Sequence, residues 1–98
     1  MAKSILQEEK ACFVTGCETG LDLHHIYFGN PNRKISDQNG FTVYLRHDIH
    51  MMLHARQKPF EMLDRELKER CQKRFEEMGH TREEFMSLIG RNYLYDHV

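Results

Sequence analysis

Several things are missing from these 98 residues, and each absence excludes a class of protein. Cysteines number only three, Cys12, Cys17 and Cys71, and an odd count argues against the disulfide framework of a small secreted domain. No apolar run approaches the ~20 residues needed to cross a bilayer, and no charged-then-apolar leader with a small-residue cleavage site is visible. These absences predict a cytoplasmic protein with no membrane association. Charge of one sign is missing too: 14 Lys and Arg stand against 15 Asp and Glu. A net charge of −1 does not mark a nucleic-acid binder by bulk composition. There is no internal repeat, low-complexity segment or domain boundary. With 40% apolar and 30% charged residues, the chain is expected to fold as one globular domain over residues 1–98.

What is present in excess is histidine. Of seven, five fall between His24 and His54, and basic residues cluster around them: Arg33, Lys34 and Arg46, with Arg56 just beyond. Locally basic and globally neutral is compatible with phosphate binding.

Residues 1–20 read as an N-terminal arm and turn. Ser4 with Gln7 could cap a short helix there, and the glycines and threonines around Cys17 suggest a turn or knuckle. Residues 21–58 form the expected core. Leu21 to Phe28 reads as a strand, and Gly29 to Lys34 and Asp37 to Gly40 as turns bounding a loop. Phe41 to Leu45 reads as a second strand that could pair antiparallel with the first. A helix capped by His47 or Asp48 then runs to about Gln57. Residues 59–90 are expected to form two packing helices. Pro59 opens the first, whose apolar stripe is Phe60, Leu63, Leu67, Cys71, Phe75 and Met78, and Gly79 ends it. Thr81 with Glu84 is a capping box for the second, and Gly90 is its stop.

His50 and His54 are four apart in the predicted helix, one turn from each other on one face. That spacing lets two imidazoles bind one metal ion. A lone pair of this kind is more often solvated, but here it comes with a strand-borne pair, His24 and His25. Alternation along the strand separates these two. His24 shares a face with Ile26 and Phe28, the expected inward face beneath the helix, which makes it the third ligand. His25 shares a face with Leu23 and Tyr27 and could reach the rim of the site as an uncoordinated base. Three ligands with an open position match a catalytic rather than a closed structural metal site.

A strand with His-His, a loop, a second strand and a helix with H-x-x-x-H resembles the ββα-metal (His-Me finger) fold of HNH endonucleases. The histidine pattern is most similar to the nuclease domains of colicins, and the stretch from about Cys12 to His54 carries the resemblance. The whole chain also looks like small HNH-type proteins of phages and prophages. The resemblance implies an α+β fold, a hairpin-plus-helix core with additional C-terminal helices, and a hydrolase that cuts or nicks double-stranded DNA. His25 would be the general base. His24, His50 and His54 would hold one divalent ion, Mg, Mn, Ni or Zn. Arg33, Lys34, Arg46 and Arg56 become candidates for DNA phosphate contact, although each taken singly also reads as an ordinary solvated charge.

Two departures from the family accompany this. The family's middle Asn, which orients the base, falls near Phe41; Asn39 either takes its place or belongs to an Asn-Gly turn. A second zinc knuckle would fall at Arg46 and Ile49, which cannot bind zinc, so Cys12 and Cys17 read as a remnant or as turn packing. The alternative to the enzyme is a DNA-binding or recombination accessory protein on the same fold, its turnover weakened by the missing Asn. A further reading is a small metal-stabilised interaction module. The C-terminal helices, with exposed methionines, could serve a homodimer or a phage protein partner.

Overall fold

The computed structural model describes residues 2–94. Thr42-Val43-Tyr44-Leu45-Arg46 has the β-branched and aromatic content that suits a pleated, half-buried surface, and it forms strand β2, Thr42–Arg46. It pairs antiparallel with β1, Leu21–His25, in the register Leu21↔Arg46 through His25↔Thr42. This two-stranded sheet and four helices make a small α+β fold.

The connection between the strands is not a loop. Asn32–Asn39 forms helix α1, which has no side-chain N-cap and a single large apolar residue, Ile35. Ser36 rather than an apolar stripe anchors it: fully buried, its hydroxyl accepts from the Tyr27 N–H at 3.2 Å and donates to the Tyr27 carbonyl at 2.7 Å. Gly40 closes α1 in the left-handed region at φ 74°, so Asn39-Gly40 is a helix end and not a hairpin turn. A Cβ at Gly40 would also lie 2.0 Å from the Lys3 carbonyl oxygen, which fixes glycine there.

Helix α2, His47–His54, follows β2 without a break, and Arg46 stands at its N-cap without a side-chain cap bond. Its Ile49 and Leu53, one turn apart, bury their side chains and hold it against both strands and against α3, Phe60–Glu77. In α3, Leu67, Cys71 and Phe75 are buried and Phe60 and Leu63 partly so, but Met78 is 48% exposed, past the end of the stripe. Helix α4, Arg82–Ile89, starts at the expected capping box: Thr81 accepts from the Glu84 N–H, and Glu84 accepts from the Thr81 N–H. Gly90 ends it in the left-handed region.

The core centres on aromatic rings from every layer. Tyr27 meets Phe41 at 5.5 Å and Phe85 at 5.3 Å, and Phe41 meets Phe75 at 5.3 Å. The segment before β1 is an arm, not a helix. Ser4 does accept from the Leu6 and Gln7 N–H groups, both at 3.1 Å, but no helix follows. Instead Gln7 accepts from the Tyr44 N–H and Phe13 donates to the Tyr44 carbonyl, so the arm covers the open edge of β2. No helix among the described residues is long and apolar enough to cross a membrane.

Candidate functional site

Period-two alternation sends adjacent histidines of β1 to opposite faces. His24 lies under α2 with no exposed surface, while the His25 side chain keeps 15% exposure on the other face. The strand ends at His25, so alternation stops there. Tyr27, expected to share the His25 face, is buried in the core instead.

His50 and His54 descend from α2 onto His24. The three rings meet edge to face, with the His24 centroid 5.1 Å from that of His50 and 5.3 Å from that of His54. One nitrogen from each lies within 4.8 Å of the other two, the only such group of three or more His, Cys, Asp or Glu among the described residues. His50 Nε2 and His54 Nε2 are 3.1 Å apart. Two ligands bound at normal distances to one tetrahedral ion would stand about 3.3 Å apart.

The protonation states follow from the partners. Asp22, two residues before His24 and on the same face, accepts from His50 Nδ1 at 2.9 Å and from His47 Nδ1 at 2.7 Å through one oxygen. A carboxylate can only accept, so His50 carries a hydrogen on Nδ1 and turns its Nε2 toward His54 and His24. These hydrogen bonds, that from His50 first and that from His47 second, hold the Asp22 carboxyl below the usual range. Burial, then the charges of His50 and His54, push the His24 imidazole down to about 3. Burial, with His50 beside it, also lowers His54. Neutral imidazoles are the form that binds metal.

Neither ring nitrogen of His24 has a hydrogen-bond partner, although the ring is wholly buried. A neutral imidazole has one donor and one acceptor to satisfy, and leaving both unmet costs about 1–3 kcal/mol each. A divalent cation held by His24, His50 and His54 would satisfy the acceptor side, so the residues present fit such a group.

On the opposite face, His25 Nε2 is 3.2 Å from Asp37 Oδ1 of α1. His25, Asp37, Arg33 and Lys34 line one cleft of about 630 Å³. A smaller cavity of about 270 Å³ opens beside His54, lined among others by Phe28, Arg56, Asp64 and Lys68.

The site residues expected from sequence therefore separate. His24, His50 and His54 come together, and Arg33 and Lys34 share a cleft with His25. Arg56, in the left-handed region at φ 55°, lies on the His54 side. Arg46 is placed otherwise. It grips Asp48 at 2.6 and 2.9 Å, and in the register it faces Leu21, about 13 Å along the hairpin from His25. Asn39 does not reach His25 either: its amide donates to the Ile35 carbonyl at 2.9 Å, one turn back in its own helix, and it faces a cavity with Ile5 and Phe75. The Cys12–Cys17 turn is closed by backbone bonds, and Cys12 Sγ accepts from the Arg46 N–H at 3.3 Å. A hydrogen bond thus ties the turn to the strand end where a second knuckle would have stood.

Asp22, Asp37 and Ser36 also shape the site, and no motif in the sequence singles them out. Asp22 was within reach of the alternation rule that selected His24. Asp37 and Ser36 were hidden because the segment holding them lacks an apolar period. Comparison of the chain with protein-family models, with curated proteins and with solved structures finds no match.

Proposed function

We propose that the protein is a metal-dependent endonuclease of HNH type, with β1, β2 and α2 as a ββα-metal core, nicking or cutting double-stranded DNA in the cytoplasm. One observation carries the reading: three imidazoles converge beneath α2, one of them buried with no other partner, while the next residue in the strand presents a fourth imidazole to a basic cleft.

His24, His50 and His54 would hold one divalent ion, Mg, Mn, Ni or Zn. When bound, it supplies positive charge to the phosphate and to the leaving 3′ oxygen. The remaining work belongs to the chain. His25 accepts a proton from a water molecule whose oxygen bonds to phosphorus as the P–O3′ bond breaks, and the departing 3′ oxygen takes a proton from solvent. The products are a 5′-phosphate and a 3′-hydroxyl. Arg33 and Lys34, exposed on α1, offset the charge of the DNA backbone at the same cleft.

Asn39, turned back onto its own helix, favours the second reading, a DNA-binding accessory protein with weakened turnover. Supercoiled plasmid incubated with the protein and Mg²⁺, Mn²⁺, Ni²⁺ or Zn²⁺, beside His25→Ala and His50→Ala, separates the two. Nicking by the wild type and loss in both variants supports the nuclease. Salt-sensitive duplex binding without nicking, retained in His25→Ala, supports the accessory protein. Equal nicking by wild type and variants sinks both assignments of the histidines.

A further inference from the structure

The geometry points to Asp37 as the positioning residue of His25: its carboxylate fixes the ring so that Nδ1, not Nε2, is the nitrogen that takes the proton. This rests on the nuclease reading above. Asp37 Oδ1 lies 3.2 Å from His25 Nε2, and an ionised carboxylate has no hydrogen to give. In the neutral ring the bond therefore places the hydrogen on Nε2 and leaves the Nδ1 lone pair bare. Nδ1 has no hydrogen-bond partner among the described residues, and the ring lines the same 630 Å³ cleft as Arg33 and Lys34.

The position of Asp37 is itself determined. Ser36, its neighbour, clamps both backbone polar groups of Tyr27, two residues beyond His25. The Phe41 N–H donates to the Ser36 carbonyl at 2.9 Å, and the Gly40 N–H caps the same carbonyl. These bonds lock the C-terminal turn of α1 against the end of β1, which turns residue 37 toward the His25 ring. Arg33 lies one turn earlier, on the same helical face. One short polar helix thus carries the group that orients the base and the cations that receive the phosphate. Orientation by Asp37 fills the role that Asn39, bonded to Ile35, does not take.

The test uses Asp37→Ala and Asp37→Glu. Alanine removes the acceptor and keeps a strong helix former at a half-exposed position, so α1 should persist. General base catalysis supplies about 10²–10⁴-fold, and a base free to rotate and to change tautomer forfeits part of it. Nicking kcat should fall about 10- to 100-fold in Asp37→Ala, with KM for DNA within about twofold, and Asp37→Glu should recover part of the loss. Independently of turnover, ¹⁵N spectra of the metal-free protein should show His25 with its hydrogen on Nε2 in the wild type, and lose that preference in Asp37→Ala.

Wild-type kcat in Asp37→Ala overturns the proposal, as does an unchanged His25 tautomer. A rise in KM that accounts for the whole loss also overturns it, because Asp37 would then act on DNA binding. If the wild type nicks with no metal, the nuclease reading falls by itself, and the His25 tautomer still decides whether Asp37 orients the ring.

Discussion

Replacing His24 by leucine should make the metal-free protein more stable and at the same time abolish its response to metal. The ring is wholly buried and both its nitrogens lack partners. Each unmet group costs about 1–3 kcal/mol, whereas a leucine of similar volume costs under about 1.5 kcal/mol in repacking against Val43 and Phe28. The variant should therefore gain at least about 0.5 kcal/mol in the presence of a chelator. For a domain of this size, each kcal/mol moves Tm by roughly 4–8 °C. With metal at a hundred times its Kd, the wild type gains about 2.7 kcal/mol and the variant nothing, so the gap between them shifts by that amount in favour of the wild type. Thermal unfolding followed by circular dichroism, with EDTA and then with Zn²⁺ or Ni²⁺, reads all four states. A leucine variant less stable than the wild type in EDTA, and shifted equally by metal, would make His24 a satisfied core group with no metal to hold.

Other expectations follow from the same contacts. His24 has a folded-state pKa of about 3 against an ordinary 6.5, so between those values the unfolded chain binds the extra proton. The contribution of His24 to metal-free stability is then complete above pH 6.5 and is lost as the pH drops toward 3, by up to about 1.4 kcal/mol per unit. Urea midpoints across that range should show the slope in the wild type and less of it in His24→Leu; parallel profiles would contradict it. Asp22→Ala frees the His50 ring and should weaken metal affinity about 10- to 100-fold by calorimetry, and unchanged affinity would remove Asp22 from the site. Ser36→Ala leaves the Tyr27 N–H and carbonyl without the hydroxyl and should cost about 1–3 kcal/mol in urea unfolding. A loss under a few tenths would mean that water replaces the clamp.

The legible parts of the sequence were those where one short-range rule decides. Alternation in β1 separates His24 from His25, a four-residue step pairs His50 with His54, and the Thr81–Glu84 box starts α4. Helix α1 was illegible because no apolar face announces it. It is held by Ser36, whose role depends on a tertiary contact with Tyr27. Missing the helix displaced everything on it: Asp37 read as a turn residue, and Asn39 as part of an Asn-Gly turn or a brace for the base. Arg46 stands apart for another reason. Its closeness in sequence to the histidines conceals a carboxylate two residues on, at Asp48, which takes its guanidinium, and a register that puts it at the far end of the hairpin.

The central claim is that the buried imidazoles and His25 do different work, one set holding metal and the other moving a proton. The rate of plasmid nicking by His25→Ala, measured at a metal concentration where calorimetry shows the variant fully loaded, tests it most directly. His25→Ala should keep wild-type metal affinity while nicking falls about 100-fold or more. Nicking at the wild-type rate, or a loss explained by lost metal, would contradict it.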